Sequence, residues 1–124
     1  AVNKNHIDIF EPKFRRNFIH IKDVIRGIIF TIHNFNKLKS NVYNLGLSNA
    51  NITKIDLAKK IKKQYKKLKI TVIKNKSDPD KRDYFVSNAK IEKKGFKAKI
   101  SLDNGIKELI HIFKNNKNKI INNY

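Results

Sequence analysis

The sequence predicts an α/β fold, because short strand-like runs alternate with amphipathic helix-like stretches along most of the chain. Two bulk properties are those of a globular domain. The 124 residues suit one compact domain, and the hydrophobic content of 40% is enough for a core. No apolar run approaches the roughly 18 residues that a membrane span needs, and no signal peptide is visible at the N-terminus.

Two strands and a helix are predicted at the start of the chain. The stretches IDIF (residues 7–10) and FIHI (18–21) are typical of short strands. Asp23 then serves as an N-cap or first-turn acid of a helix. The apolar face of that helix, at helical spacing, is predicted to consist of Ile25, Ile28, Ile29 and Ile32.

The middle of the chain is predicted to continue as strand, helix and strand. VYNLGL (42–47) is typical of a buried strand. Thr53 is placed to cap the next helix, with Asp56 in the capping-box position. Residues 69–73 are predicted to form a further strand. The inner face of the helix is predicted to carry Ala58, Ile61, Tyr65 and Leu68.

The last third begins with a polar loop around Pro79 and a short extended piece at 84–86. Ser87 or Asn88 is expected to cap a short helix that Gly95 ends. Ser101 caps the last helix, and residues 115–124 form a polar, frayed tail after a single domain at 1–114. The inner face of the last helix is predicted from Ile106, Leu109, Ile110 and Phe113.

The net charge of +19 invites a search for an anionic partner such as nucleic acid, a membrane surface or a phosphorylated ligand. However, the 25 Lys, 17 Asn and 20 Ile make up half the chain. These residues share AT-rich codons, so codon bias explains much of the charge. The lysine-rich helix at 59–67 has one aromatic residue and no interleaved stacking platform, so nucleic-acid binding is not favoured.

Cysteine and metal chemistry receive little support from the sequence. The absence of cysteine excludes disulfides, thiolate zinc sites and cysteine nucleophiles, and it fits a cytoplasmic protein. The four histidines are scattered without metal-ligand spacing, so no metal site is expected.

Four stretches in order resemble the C-terminal part of the NAD-dependent nucleotide-sugar epimerases and dehydratases, which are extended short-chain dehydrogenases/reductases. RNFIHIKDVIRGI resembles that family's R-D-F stretch, and VYNLGLSNANITKIDLAKKI its Y-N-hydrophobic-G strand and helix. DPDKRDYFVSNAKIEKKGFKAKISLDNGIKELI resembles its stretch from a substrate-contacting arginine to the closing helix. IDIF fits the short strand upstream. The match covers residues 5–114 or so.

The resemblance also implies what this chain lacks. No glycine-rich dinucleotide fingerprint is present, so the NAD(P) site of the family, and most of its Rossmann sheet, lie outside this sequence. Tyr65 and Lys69 have the spacing of the family's catalytic Tyr-x-x-x-Lys, but Tyr65 is predicted on an inner helix face, past the family's catalytic region. No catalytic residue is therefore assigned. The chain begins at Ala1 rather than Met, which suggests a trimmed or partial chain.

Two arginines are the candidate substrate-binding residues. In the resembled family, the arginine of R-D-F reaches the diphosphate of the nucleotide sugar, and that position is Arg16 here. Arg82 stands where the family has a second phosphate-binding arginine. A guanidinium is a rigid planar fork that pairs with two phosphate oxygens. The alternatives are a solvated Arg16, and an Arg82 paired with Asp80 or Asp83. Arg15 is expected to face solvent.

Three neighbouring residues are interpreted as structural. An acid in the first turn of a helix is stabilised by unpaired amides and the helix dipole, which accounts for Asp23. Asn44 and Gly46 belong to the Y-N-L-G stretch and are expected to support the backbone. Asn17 stands where the family has aspartate.

The resemblance therefore implies a substrate-side portion of an NAD(P)-dependent nucleotide-sugar epimerase, dehydratase or reductase, which binds the nucleotide diphosphate through arginines. The alternative is a basic nucleic-acid-binding module without catalytic activity. The implied partners are a nucleotide-diphosphate sugar and the missing Rossmann half or a partner chain, and relatives of full length are homodimers. Without the Rossmann half, the isoleucines of the first helix are expected to be exposed.

Overall fold

A computed structural model describes residues 1–73 and 82–115 of the chain. Its strands are β1 (His6–Ile9), β2 (Arg15–Asn17), β3 (Asn51–Thr53) and β4 (Lys69–Val72). Its α-helices are α1 (Ile21–His33), α2 (Phe35–Leu38), α3 (Lys54–Gln64), α4 (Ala89–Glu92) and α5 (Leu102–Asn115), with a 3₁₀ turn at Ser48–Ala50. The α/β class predicted from the sequence is confirmed, and the described strands form two separate two-stranded sheets.

The chain divides into two compact units, whereas the sequence predicts a single domain at residues 1–114. The first unit comprises residues 1–14, 53–82 and 103–124, and the second comprises 15–52 and 83–102. The predicted tail lies outside the described residues, apart from Asn115 at the end of α5.

The first unit is built on β1 and β4, which pair in parallel with Ile7 opposite Ile70. Helix α3 connects towards β4 and begins where predicted. The hydroxyl of Thr53 accepts a hydrogen bond from the backbone N–H of Asp56 at 3.2 Å. The predicted inner face of α3 is buried at Ala58, Tyr65 and Leu68. The helix itself ends at Gln64, so Tyr65 is the residue that caps its C-terminus.

Helix α5 completes the first unit. Two of the four residues predicted for its inner face, Ile106 and Ile110, are buried. Leu109 is instead 55% exposed, so its predicted burial is wrong. Asp103 at the start of the helix accepts from the ammonium group of Lys60 at 3.0 Å, which ties α5 to α3.

The second unit departs from prediction at both of its proposed strands. Residues 18–20 are not in a strand and Ile21 already begins α1, because the side chain of His20 caps that helix by accepting from the N–H of Lys22 at 3.1 Å. The strand lies three residues earlier, as β2, and pairs with β3.

The predicted buried strand at 42–47 is also wrong. No residue of that stretch is in a strand, and Val42 is 85% exposed. Only its end is buried, where Leu47 packs with Ala50 and Ala98 in a small core. An apolar run becomes a strand only beside a pairing partner, and no described strand runs alongside residues 42–47.

Helix α1 has an unusual distribution of burial. Its buried residues are Asp23 and Gly27, whereas the isoleucines of its apolar face are exposed. The exposed set is Ile21, Ile25, Ile28, Ile29 and Ile32, with exposed fractions between 46% and 65%. The expectation that the predicted isoleucine face would be uncovered is confirmed. We call these five residues the isoleucine face.

Candidate functional site

Strand β2 presents two adjacent arginines on alternating sides, since successive side chains of a strand point in opposite directions. Arg15 is exposed and Arg16 is half-buried. Both belong to the second unit, and both contact the segment that begins at Asp83.

Arg15 is held by a single carboxylate. Its backbone N–H donates to Oδ1 of Asp83 at 2.8 Å, Nε donates to the same oxygen at 3.1 Å, and Nη2 donates to Oδ2 at 3.1 Å. The side-chain hydrogen bonds from Arg15 lower the pKa of Asp83, and the same contacts raise the pKa of Arg15. Arg15 is exposed as expected, but it is engaged by Asp83, which the sequence had offered as a partner of Arg82.

Arg16 lies over an aromatic ring. The guanidinium carbon is 5.0 Å from the centroid of the Tyr84 ring, within the range of a cation–π contact. Nη1 of Arg16 also donates to the carbonyl oxygen of Arg15 at 2.8 Å, which ties one terminal nitrogen of the guanidinium to the backbone of its own strand.

The segment that carries Asp83 and Tyr84 has no regular secondary structure, but side chains of the second unit hold its backbone. Asn51 accepts from the N–H of Val86 at 2.8 Å and donates to its carbonyl oxygen at 3.0 Å, as a neighbouring strand would. Asn44 donates to the carbonyl oxygen of Ser87 at 3.1 Å. The supporting role expected for Asn44 is therefore present in the structure.

Arg82 is exposed and directly precedes this segment in the chain. It falls in the first unit, whereas Arg16 falls in the second. The two-arginine grip on a diphosphate therefore stays a prediction for both residues. Asp80, the other partner considered for Arg82, lies outside the described residues.

The absence of a side chain at Gly46 leaves room for the side chain of Asn17 at the end of β2. A Cβ at this position would lie 1.9 Å from Oδ1 of Asn17 and 3.0 Å from Nδ2 of Asn88. Asn17 in turn donates from Nδ2 to the carbonyl oxygen of Leu47 at 2.9 Å. An aspartate, which the resembled family has at this position, could not make that bond, so Asn17 is matched to its surroundings here.

Sequence reasoning missed Asp83, Tyr84 and Asn51 as parts of this arrangement. Arg15 and Asp83 are 68 positions apart, and no local pattern predicts such a contact. The available signal was the match in chemistry between two consecutive arginines and the consecutive Asp-Tyr pair, since a carboxylate and an aromatic ring are both partners of a guanidinium.

The catalytic interpretation of Tyr65 finds no support in its surroundings. Tyr65 is 8% exposed, and its hydroxyl donates to the side-chain oxygen of Asn5. Among residues 1–73 and 82–115, no three His or acidic side chains are grouped to hold a metal ion. None of the described helices is long and apolar enough to cross a membrane.

The first unit contains an apolar cleft of about 370 Å³. It lies between α3, α5 and the N-terminal residues, and Ile61, Ile106 and Phe113 contribute to its walls. Because its cationic lining is limited to Lys4, this cleft does not suit a diphosphate.

No model of a protein family matches the chain. Solved structures do. A GDP-D-glycero-L-gluco-heptose synthase of Campylobacter jejuni, determined in the presence of NADPH, is 26% identical, with a TM-score of 0.71 over 90% of this chain. A GDP-mannoheptose C4 reductase from the same organism, with NADP bound, has the same identity and TM-score. A C. jejuni GDP-6-OMe-4-keto-L-xylo-heptose reductase is 30% identical with a TM-score of 0.70.

A more distant structure shows the same fold. The RMD protein of Pseudomonas aeruginosa, complexed with NADPH, is 15% identical with a TM-score of 0.61 over 90% of this chain. In all four comparisons this chain spans only 34–36% of the length of the matched protein. A share of about one third agrees with the prediction that this chain corresponds to a C-terminal portion of such an enzyme. The resemblance drawn from the sequence motifs is thereby confirmed: the chain is similar to part of a nucleotide-sugar enzyme of the extended short-chain dehydrogenase/reductase family.

Proposed function

We propose that this chain is the substrate-side portion of an NAD(P)-dependent nucleotide-sugar enzyme and that it binds the substrate diphosphate through Arg16 and Arg82. The observation that carries the proposal is the match to three GDP-heptose enzymes at 26–30% identity over 90% of the chain. Reductase chemistry is the first choice, because two of these relatives are named reductases; epimerase and dehydratase chemistry are the alternatives. A GDP-linked sugar is the corresponding substrate.

The geometry of the second unit supports a role of Arg16 in holding phosphate. Strand β2 and Tyr84 orient a planar guanidinium, and such a fork donates two parallel hydrogen bonds to phosphate oxygens. The ordered guanidinium reduces the side-chain entropy that binding would otherwise cost.

The cofactor belongs to another part of the enzyme in this proposal. The sequence contains no glycine-rich fingerprint, and among the described residues no glycine-rich turn leads from a strand into a helix to cradle a pyrophosphate. The hydride chemistry would therefore take place on the NAD(P)-binding portion, while this chain orients the sugar nucleotide.

The isoleucine face is the proposed contact with that NAD(P)-binding portion, on the same polypeptide or on a partner chain. Its five isoleucines form a continuous apolar stripe on α1, at the spacing of one helix face. An exposed apolar stripe of this kind marks an interaction surface.

The decisive experiment is a calorimetric titration with GDP of the protein that carries this chain. Arg16→Ala and Arg82→Ala should each weaken GDP binding by about tenfold or more, the value of a charge-assisted hydrogen bond. The matched control is Lys13→Ala, which removes an exposed positive charge just before β2 in the chain and should leave the affinity unchanged. Unchanged affinity in both arginine variants would refute the proposal.

The same titration separates this proposal from the nucleic-acid alternative. Helix α3 and the turn after it carry exposed lysines at 59, 62, 63 and 66, a pattern that favours a polyanion. Binding of RNA or DNA through these lysines would weaken steeply with salt and would depend little on either arginine.

A further inference from the structure

We propose that Tyr84 is the positioning residue that orients Arg16 for the diphosphate, and that Asp83 keeps the adjacent Arg15 out of that role. This inference rests on the proposed function, because it assumes that Arg16 is a phosphate ligand. It assigns a division of labour within the Arg15–Arg16 pair that the motif alone does not contain.

The first support is the matching order of residues in β2 and in the segment that begins at Asp83. Arg15 contacts Asp83, and the next residue, Arg16, contacts the next residue, Tyr84. Because successive side chains of a strand point in opposite directions, Arg15 and Arg16 leave β2 on opposite sides, one towards the carboxylate and the other over the ring. A shift of one segment by one residue would bring Arg16, instead of Arg15, to Asp83 and would remove Arg16 from the Tyr84 ring.

The second support is the chemistry of the two contacts. The carboxylate of Asp83 accepts from both Nε and Nη2 of Arg15, so it occupies one bidentate edge of that guanidinium and offsets its charge. A ring contact draws on the positive charge of the guanidinium through the π face and does not require its N–H donors. Tyr84 therefore orders Arg16 by a contact that is compatible with phosphate binding.

The third support is the attachment of the segment that carries Tyr84. Asp83 anchors one side of Tyr84 through Arg15, and Asn51 anchors the other side through both backbone groups of Val86. Tyr84 is therefore flanked by two anchored residues, Asp83 one position before it and Val86 two positions after it. A mobile tyrosine would not orient an arginine, whereas a tyrosine anchored on both sides does.

The test is a double-mutant cycle on GDP binding in the protein that carries this chain. Tyr84→Leu should weaken GDP binding about two- to fivefold, the value of a cation–π contact, while Tyr84→Phe should keep the wild-type affinity. In an Arg16→Ala background, Tyr84→Leu should have no further effect, because the tyrosine acts through the arginine. Phe85→Leu is the matched control, since Phe85 is the adjacent aromatic residue and is 65% exposed.

Guanosine binding gives the second readout. Guanosine lacks the phosphates, so Tyr84→Leu should leave its affinity unchanged. A merely structural tyrosine would weaken guanosine and GDP alike. Equal losses for both ligands, or additive losses in the double variant, would overturn the positioning role even if Arg16→Ala weakens GDP binding. If the wild type does not bind GDP, or if Arg16→Ala leaves its binding unchanged, the proposed function fails and this inference falls with it.

Discussion

The carboxylate of Asp23 accepts a hydrogen bond from the backbone N–H of Ile100 at 2.8 Å, although the two residues are 77 positions apart. The same oxygen, Oδ2, accepts from the N–H of Lys99 at 2.9 Å, and the other oxygen accepts from Nη1 of Arg26. Asp23 has no exposed surface. Asp23 was predicted to be a structural acid in the first turn of α1, and it does lie in that turn. Its carboxylate also holds the backbone at residues 99–100 against the helix.

Replacement of Asp23 by asparagine should therefore destabilise the fold. The new side-chain amide would present N–H donors either to the backbone donors at 99–100 or to Arg26, so at least one of these donors would lose its acceptor. We expect a loss of about 2 kcal/mol or more in the free energy of unfolding. Urea denaturation measures it.

Asp56→Asn is the matched control for that measurement. Asp56 is also a first-turn acid, in α3, but it is exposed and its N–H is capped by Thr53. Its replacement should cost about 1 kcal/mol or less. Equal losses at the two positions would show that the distant hydrogen bonds of Asp23 contribute nothing beyond the first-turn effect.

The buried carboxylate also predicts how stability depends on pH. Burial alone would raise the pKa of Asp23, but hydrogen bonds from Ile100, Lys99 and Arg26 outweigh it and hold the pKa below its usual value. Because the folded-state pKa is the lower one, the stability from Asp23 is complete above the unfolded value of about 4 and is lost as the pH falls through the folded value. The urea midpoint should therefore decrease as the pH is lowered below about 4.

The Asp23→Asn variant should show a weaker loss of stability with acid, since its side chain does not titrate. Asp83 has a lowered pKa for the same reason of hydrogen bonding, from Arg15, and acts in the same direction. The ion pair of Asp83 with Arg15 is exposed, so salt on the order of 0.5 M should suppress its contribution to the acid-dependent loss of stability. The contribution of Asp23 should remain. An unchanged acid profile in Asp23→Asn would contradict the assignment.

Local features of this fold were predictable from sequence and distant ones were not. The cap of α3 depends on Thr53 and Asp56, three positions apart, and was found correctly. The parallel strands β1 and β4 were located within a residue or two, because each is a short apolar run between polar residues. In contrast, the bonds from Asp23 to the backbone at 99–100 leave no local trace in the sequence.

The prediction of the strand at 42–47 failed for an instructive reason. Its apolar pattern indicated burial, but Val42 is exposed in this chain. The isoleucine face has the same property. Both stretches carry the composition of buried elements without a described partner, which is what a portion of a larger enzyme would show. The arginine site was half predictable: the motif indicates Arg16, but only the structure brings Tyr84 and Asp83 to it.

Gly46→Ala tests how closely the second unit is packed around Asn17. The added methyl group would lie 1.9 Å from Oδ1 of Asn17, and moving that side chain away would disturb the hydrogen bond that its Nδ2 donates to the carbonyl oxygen of Leu47. We expect a loss of about 1–3 kcal/mol, typical of an overpacked core. Thermal and urea denaturation both measure it.

A second variant shows whether this cost comes from the contact with Asn17. Asn17→Ala removes the clashing oxygen, so the cost of Gly46→Ala should be smaller in that background than in the wild type. Two fully additive losses would mean that the strain at Gly46 arises elsewhere, for instance from Asn88, which is 2% exposed.

The isoleucine face provides the last prediction. In a polypeptide of these 124 residues, Ile25→Lys together with Ile29→Lys should leave the free energy of unfolding within about 0.5 kcal/mol per substitution, because both side chains are about half exposed. The same double variant should reduce concentration-dependent self-association, measured by sedimentation, because it interrupts an exposed apolar stripe. Ile106→Lys is the matched control and should unfold the chain, since Ile106 is 6% exposed.

In a longer protein that also carries the NAD(P)-binding portion, the double variant should instead be strongly destabilising or should separate the two portions. If the two lysines cost as little there as in the short chain, the isoleucine face is not the contact between them.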